Sequence, residues 1–228
     1  GKRVLMVASN RRTLLINSKG KCILKLATAL PGGGHTGSQL QRNVYYTLLD
    51  CVYDRHGQVI YVLDVLCFRT SDYTISMTID RFENMMSIHK SAIENCEPNR
   101  DDLKVKILPH MEATQANITN IFTSEAPFKV DGVMFYHKEV PYIFGITTMH
   151  GWLKPYMVGD IFAIPDVHGS FLLGRPRNYE HVAQGVRDWY STHPSWSVDH
   201  KHVQDDTASN HKAVTYSTKE QENIAQSS

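Results

Sequence analysis

Val130-Asp131-Gly132-Val133-Met134-Phe135-Tyr136 and, after a loop, Gly151-Trp152-Leu153-Lys154-Pro155 are the stretches on which the fold of this chain is read. The first is an acidic-glycine step that opens into an apolar run, and it predicts a strand over 130–137. The second sets a large flat ring close to a Lys-Pro pair. An aromatic face is suited to stacking on a base, whereas a lone lysine is a small allowance for handling phosphate.

Working outward, short β-branched runs predict strands over 3–8, 13–16 and 21–26, with Ser18-Lys19-Gly20 in a turn. Residues 46–53 and 59–68 read as a hairpin around Asp54-Arg55-His56-Gly57-Gln58. Phe82, Met85, Met86, Ile88, Ala92 and Ile93 recur at helical spacing and predict a helix over 81–96, its methionines filling core. Strands over 103–108 and 161–164 and a helix over 111–122 complete the pattern. Pro31-Gly32-Gly33-Gly34 opens no helix and lacks the Gly-Lys-Ser/Thr of a phosphate loop, so it reads as a flexible connector.

The expected architecture is α+β, mostly antiparallel sheets with inserted helices, over residues 1–177. Residues 178–228 read as a mostly disordered tail, with a short helix over 182–190. The histidines of that tail, His193, His200, His202 and His211, have no framework to fix them around a metal.

Composition narrows the function. The 228 residues carry 24 basic and 23 acidic side chains, a formal net charge of +1. So even a balance argues against a protein that coats nucleic acid, and leaves room for a local nucleotide site. Cys22, Cys51, Cys67 and Cys96 lack metal-ligand spacing and read as reduced thiols. No run has the length of a membrane span and no signal peptide is visible, so a cytoplasmic or nucleocytoplasmic setting is expected. The missing initial methionine suggests an excised fragment. Asn117-Ile118-Thr119 matches the glycosylation sequon, without secretory signals to support it.

Lys129-Val130-Asp131-Gly132 also spells K-x-D-G, the segment that carries the nucleotidylated lysine of DNA ligases and RNA capping enzymes. In those enzymes that motif stands early, ahead of the strands that build the pocket; here it stands late, where their acidic-glycine motif lies. By position, the lysine would precede Gly1-Lys2-Arg3. Their Asp-Gly-Glu motif corresponds to Tyr61-Val62-Leu63-Asp64-Val65-Leu66, which keeps one acid. Their two-lysine motif corresponds to Gly151-Trp152-Leu153-Lys154-Pro155, which keeps one lysine. Phosphoryl transfer depends on cations and metal at the developing charge, so catalysis looks dismantled.

The same blocks, with Leu30-Pro31-Gly32-Gly33, Leu49-Asp50-Cys51-Val52-Tyr53 and Phe135-Tyr136-His137-Lys138, keep their order across about 1–165. In this the chain resembles the snurportin family. The resemblance implies a guanylyltransferase-like, ATP-grasp-like nucleotide-binding domain of the capping-enzyme type, without catalytic residues, metal or cofactor. It implies binding of the 2,2,7-trimethylguanosine cap of spliceosomal small nuclear RNA, by an adaptor for nuclear import that shuttles between cytoplasm and nucleus. The implied partners are the capped ribonucleoprotein, importin-β through an N-terminal segment absent here, and an exportin.

A guanine methylated at its seven position is cationic, so a Trp face gains stacking and cation–π attraction. Methyls on the exocyclic amine remove its donors and call for apolar walls. The expected cap-binding residues are therefore Trp152 for the base and Val52 and Leu63 for the methyls. Arg3, Ser18 and Lys19 are expected at ribose or phosphate, with Lys154 the remaining cation. The family turn reads Lys-Ser-Gly where this chain has Ser18-Lys19-Gly20, which shifts that lysine by one place. The bland alternatives are a ring packed on a sheet edge for Trp152, solvated charge for Arg3, Lys19 and Lys154, and ordinary core for Val52 and Leu63. The competing functions are an active nucleotidyltransferase, using a lysine upstream of Gly1 or Lys129 itself, and an interaction domain with a decayed pocket.

Overall fold

The computed structural model describes residues 1–35, 44–126, 128–145 and 147–192, and the chain divides into two compact units, Gly1–Gly174 and Arg175–Ser228. The first unit is built on a sheet of β1 (Lys2–Ser9), β2 (Arg12–Asn17), β3 (Cys22–Leu26), β4 (Tyr46–Asp54), β5 (Val59–Arg69), β6 (Ser71–Asp72) and β7 (Lys104–Ile107). Its order is β3-β2-β1-β4-β5-β6, all antiparallel, while β7 joins β5 in parallel. The α+β class and the predominance of antiparallel pairing follow the sequence reading; the parallel strand does not.

Alternation along the strands decides which face is covered. Val4, Met6 and Ala8 of β1 are buried and lie in the main core with Leu49 and Cys51 of β4 and Val62 and Val65 of β5. After α1 (Thr78–Asn84), a π-helical stretch (Met85–His89) and α2 (Lys90–Glu94) pack over that face, contributing Met85 and Ile93. The helical segment thus begins three residues earlier than its apolar spacing predicts. Thr78 and Ile79 hand their backbone N–H groups to the carbonyls of Val140 and Lys138, a long-range capping that periodicity does not register.

A second core gathers Ile118 and Phe122 of α3 (Gln115–Thr123), Val158 of α4 (Val158–Phe162), Ile164 and Phe171. Against it lies a hairpin of β8 (Val133–Tyr136) and β9 (His150–Leu153), through Val133, Phe135 and Leu153. The strand predicted over 161–164 is not formed. Those residues end α4, which Pro155 introduces and Ala163 terminates in the left-handed region at φ 52°. A short apolar run does not distinguish strand from helix by period alone. Helix α3 starts at Gln115, not 111, because Thr114 caps it by accepting from the Asn117 N–H at 3.2 Å.

Two further expectations change. Leu30, Pro31, Gly32 and Gly33 are buried, so the glycine run is a packed turn and not a flexible connector. Gly32 and Gly34 have φ of 86° and 91°, and a Cβ would run into the Tyr45 carbonyl at the first and the Arg11 carbonyl at the second. Glycine is required there by contact as well as by dihedral. The cysteines are free thiols as expected, with Cys51, Cys67 and Cys96 buried; burial pushes the Cys96 thiol up to about 12.

The second unit contains α5 (Val182–Thr192), close to the helix predicted there. The tail histidines and the disorder expected beyond 192 lie outside the described residues.

Candidate functional site

On β1, side chains alternate between the main core and the opposite sheet face. That second face carries Arg3 and Leu5, registered against Val52 and Asp50 of β4, which pair in turn with Tyr61 and Asp64 of β5. Two carboxylates in the middle of apolar strands are expensive unless paired, and each has an arginine. Arg3 donates from Nε to Asp50 Oδ1 at 3.0 Å and from Nη2 to Oδ2, so its guanidinium is held strongly protonated. Arg81, with no solvent exposure, donates from Nε to Asp64 Oδ1 at 3.0 Å and from Nη2 to Oδ2 at 2.9 Å. Burial still pushes the Asp64 carboxyl up to about 6, against the pull of Arg81.

The β8–β9 hairpin closes on this face. With Val133, Phe135 and Leu153 in the second core, alternation turns Met134, Tyr136, His150 and Trp152 the other way. The loop between the strands is tied down: Tyr142 donates its hydroxyl to Asp50 Oδ2 at 2.9 Å, and its N–H reaches the Thr74 carbonyl. Tyr136 and Tyr142 are held above the usual phenol range, chiefly by burial. His150 meets the Tyr136 ring edge-on at 4.6 Å, and its Nε2 is buried without a hydrogen-bond partner. Burial pulls the imidazole below its usual range, with the positive charges of Arg3 and Arg81 adding. It is accordingly a neutral ring beside two cations.

Trp152 stands at the open end of this junction with 52 % of its surface exposed. Its indole lies so close over Gly132 that a Cβ there would overlap the ring nitrogen. The acidic-glycine step therefore has a physical purpose: it gives the indole a bed without a side chain. Lys154 Nζ stands 4.7 Å from the ring centroid, a cation already resting on the π system. Asp131, next to that glycine, accepts from the Gly1 nitrogen at 3.2 Å and brings the loop to the start of β1.

Of the residues singled out from sequence, the structure brings Arg3 and Val52 together on one face, with Trp152 and Lys154 on the hairpin tied to it. Val52 is half-buried. Leu63 is buried and is the extra residue of a bulge, skipped where Asp50 pairs with Asp64 and Cys51 with Val62. Ser18 and Lys19 are exposed in the β2–β3 turn, where the Lys19 N–H donates to Asn17 Oδ1. Lys129 is exposed, two residues from Asp131.

Sequence reasoning passed over Asp50, Arg81, Tyr136, Tyr142 and His150, as well as Phe128, whose ring lies 5.7 Å from that of Tyr61. A signal existed for the carboxylates, since Leu-Leu-Asp-Cys-Val and Val-Leu-Asp-Val-Leu each bury an acid in an apolar strand. None existed for Tyr142, which reaches Asp50 across 92 positions. A cavity of about 850 Å³ opens elsewhere, on the core side of the sheet, lined by Lys2, Asn17, Leu24, Tyr53, Arg55 and Arg100 among others. Among the described residues, no group of three His, Cys, Asp or Glu side chains could hold a metal ion.

A family model described as Snurportin1, m3G cap-binding domain, aligns with residues 1–155, which include the sheet, the hairpin and Trp152.

Proposed function

This chain belongs to the Snurportin1 m3G cap-binding domain family, and from that premise we propose that Trp152 is the platform on which the trimethylguanosine base stacks. The observation that carries the reading is the half-exposed indole, bedded on Gly132 and already holding a lysine ammonium at 4.7 Å. A cationic purine offers the ring the same attraction with a larger contact. Arg3, fixed by Asp50 and with 47 % of its side chain exposed, is the cation positioned for ribose or phosphate. Val52, between Arg3 and Tyr61 in register, supplies apolar wall for the exocyclic methyls, with Leu63 behind it. Ser18 and Lys19 meet the ligand from the turn, and Lys154 supports the ring or a phosphate.

In this reading the fold is of the capping-enzyme type with the chemistry removed. The domain binds capped small nuclear RNA and takes part in nuclear import, shuttling between cytoplasm and nucleus with importin-β and an exportin as partners. Asp64 supports the non-catalytic part: its carboxylate is spent on Arg81 inside the protein and is not offered to a metal.

The test is a titration of trimethylated and monomethylated cap dinucleotides followed by tryptophan fluorescence, in a protein with Trp189 and Trp196 replaced by Phe. Quenching at lower concentrations of the trimethylated form is expected. Absence of quenching, or equal response to both, counts against the assignment. Incubation with labelled GTP and magnesium is expected to leave no covalent adduct; an acid-labile phosphoramidate would restore the enzyme reading.

A further inference from the structure

The cavity of about 850 Å³ on the core side of the sheet takes no part in the site above, and its lining is unusual for a chain of net charge +1. Lys2, Arg55 and Arg100 contribute cations, Tyr53 an aromatic ring, and Ile23 and Leu24 an apolar floor. One carboxylate, Asp54, lines it, and that group is turned to its own hairpin, accepting from the His56 N–H at 3.1 Å. Asp102 pairs with Arg100 from outside the lining, at 2.9 Å. Cations interleaved with a ring over an apolar floor suit a single-stranded nucleic acid, whose phosphates and bases take those contacts separately.

Its position relates it to the cap site. Lys2 and Arg3 are consecutive on β1, so their side chains leave on opposite faces: Arg3 towards Asp50 and Lys2 into the cavity, registered with Tyr53. Gly1 lines the cavity and also bonds Asp131 beside the Trp152 bed. Asn17, another lining residue, opens the turn that carries Ser18 and Lys19. A chain leaving Trp152 past Arg3 thus meets the cavity by rounding one end of the sheet.

We infer that this cavity is a second binding site, for the single-stranded RNA that follows the cap, with Lys2, Arg55 and Arg100 at its phosphates and Tyr53 available to a base. The inference rests on the cap reading and extends it from a nucleotide to a polynucleotide.

The experiment compares a trimethylated cap dinucleotide with an RNA of about ten nucleotides carrying the same cap. Each is titrated at several salt concentrations, against the protein and against K2E, R55E and R100Q variants checked for unchanged thermal melting. The capped RNA is expected to bind on the order of tenfold more tightly than the dinucleotide. Its salt dependence should be steeper by about 0.7 in log–log slope for each phosphate engaged. The variants are expected to remove that surplus and that extra slope while dinucleotide affinity stays unchanged. Equal affinity of dinucleotide and RNA for the parent protein overturns the second site and leaves the cap reading standing. So does a surplus that survives all three substitutions, or one lost together with dinucleotide affinity. Failure of the dinucleotide itself to bind removes the cap reading, and this inference with it.

Discussion

At Gly132 a missing side chain makes room for a ring. The Trp152 ring occupies the place a Cβ would take, so the indole and the glycine act as one unit. Trp152→Ala is expected to weaken cap binding by about 1–3 kcal/mol, the usual contribution of a stacked base. Gly132→Ala is expected to cost a comparable amount by displacing the ring, with Trp152 still present, and calorimetric titration of both variants decides the matter. Undiminished affinity in Gly132→Ala would show that the bed does not set the ring's position. Asp64 is a different kind of residue, important to the fold before any ligand arrives. Arg81→Met leaves the Asp64 carboxylate buried without its guanidinium, and a loss of about 3–5 kcal/mol in urea unfolding at about pH 7.5 is expected. A loss within the error of a surface substitution would mean that Asp64 does without that partner.

Among the elements, the helical segment over the main core carries the most informative irregularity. Its π-helical stretch ends at His89, whose ring stacks on Phe68 at 4.0 Å and whose Nε2 shares a hydrogen bond of 2.9 Å with the Tyr73 hydroxyl. Burial lowers the affinity of His89 for a proton, and the same holds for His110 and His150. For a base depressed in the folded state, the unfolded chain binds more protons. The stability contributed is therefore full above about pH 6.5 and is lost as the pH falls below it. Asp64 works the other way: its raised carboxyl takes a proton near pH 6 in the folded state first, which favours folding as the pH drops further. The expected result is a fall in denaturant midpoint between about pH 7.5 and pH 6, flattening below as Asp64 protonates. Imidazole resonances followed by NMR give the direct check, and titration of these rings at or above about 6.5 contradicts it. The elements themselves were legible to different degrees. Strands β1, β2, β4 and β5 followed from compact apolar runs bounded by turn residues. The strand predicted over 161–164 became the end of a helix because Pro155 and Ala163 set the backbone, and β9 was missed because Gly151 and the exposed Trp152 give it no apolar period.

Across the whole first unit, the sheet face and the second core are separate packings, and Tyr142 ties the hairpin loop to Asp50 of the sheet across 92 positions. Tyr142→Phe removes a hydrogen bond to a charged acceptor, worth about 1.5–3 kcal/mol. It is expected to lower stability by about that much and to weaken cap binding further, because Asp50 also fixes Arg3. Stability and affinity both unchanged would show that the loop does not hold the hairpin to the sheet. By itself the sequence determined the α+β class, the longer strands of the main sheet, the free thiols and the family, since these depend on local apolar runs, turn chemistry and motif order. Only the tertiary structure decided that Asp50 and Asp64 are paired inside the protein and that Gly132 is the bed of Trp152. Only there, too, did a cavity lie round the end of β1 from Arg3. Those facts depend on which side chains meet across tens of residues, and contact between distant strands leaves no period in the sequence that specifies it.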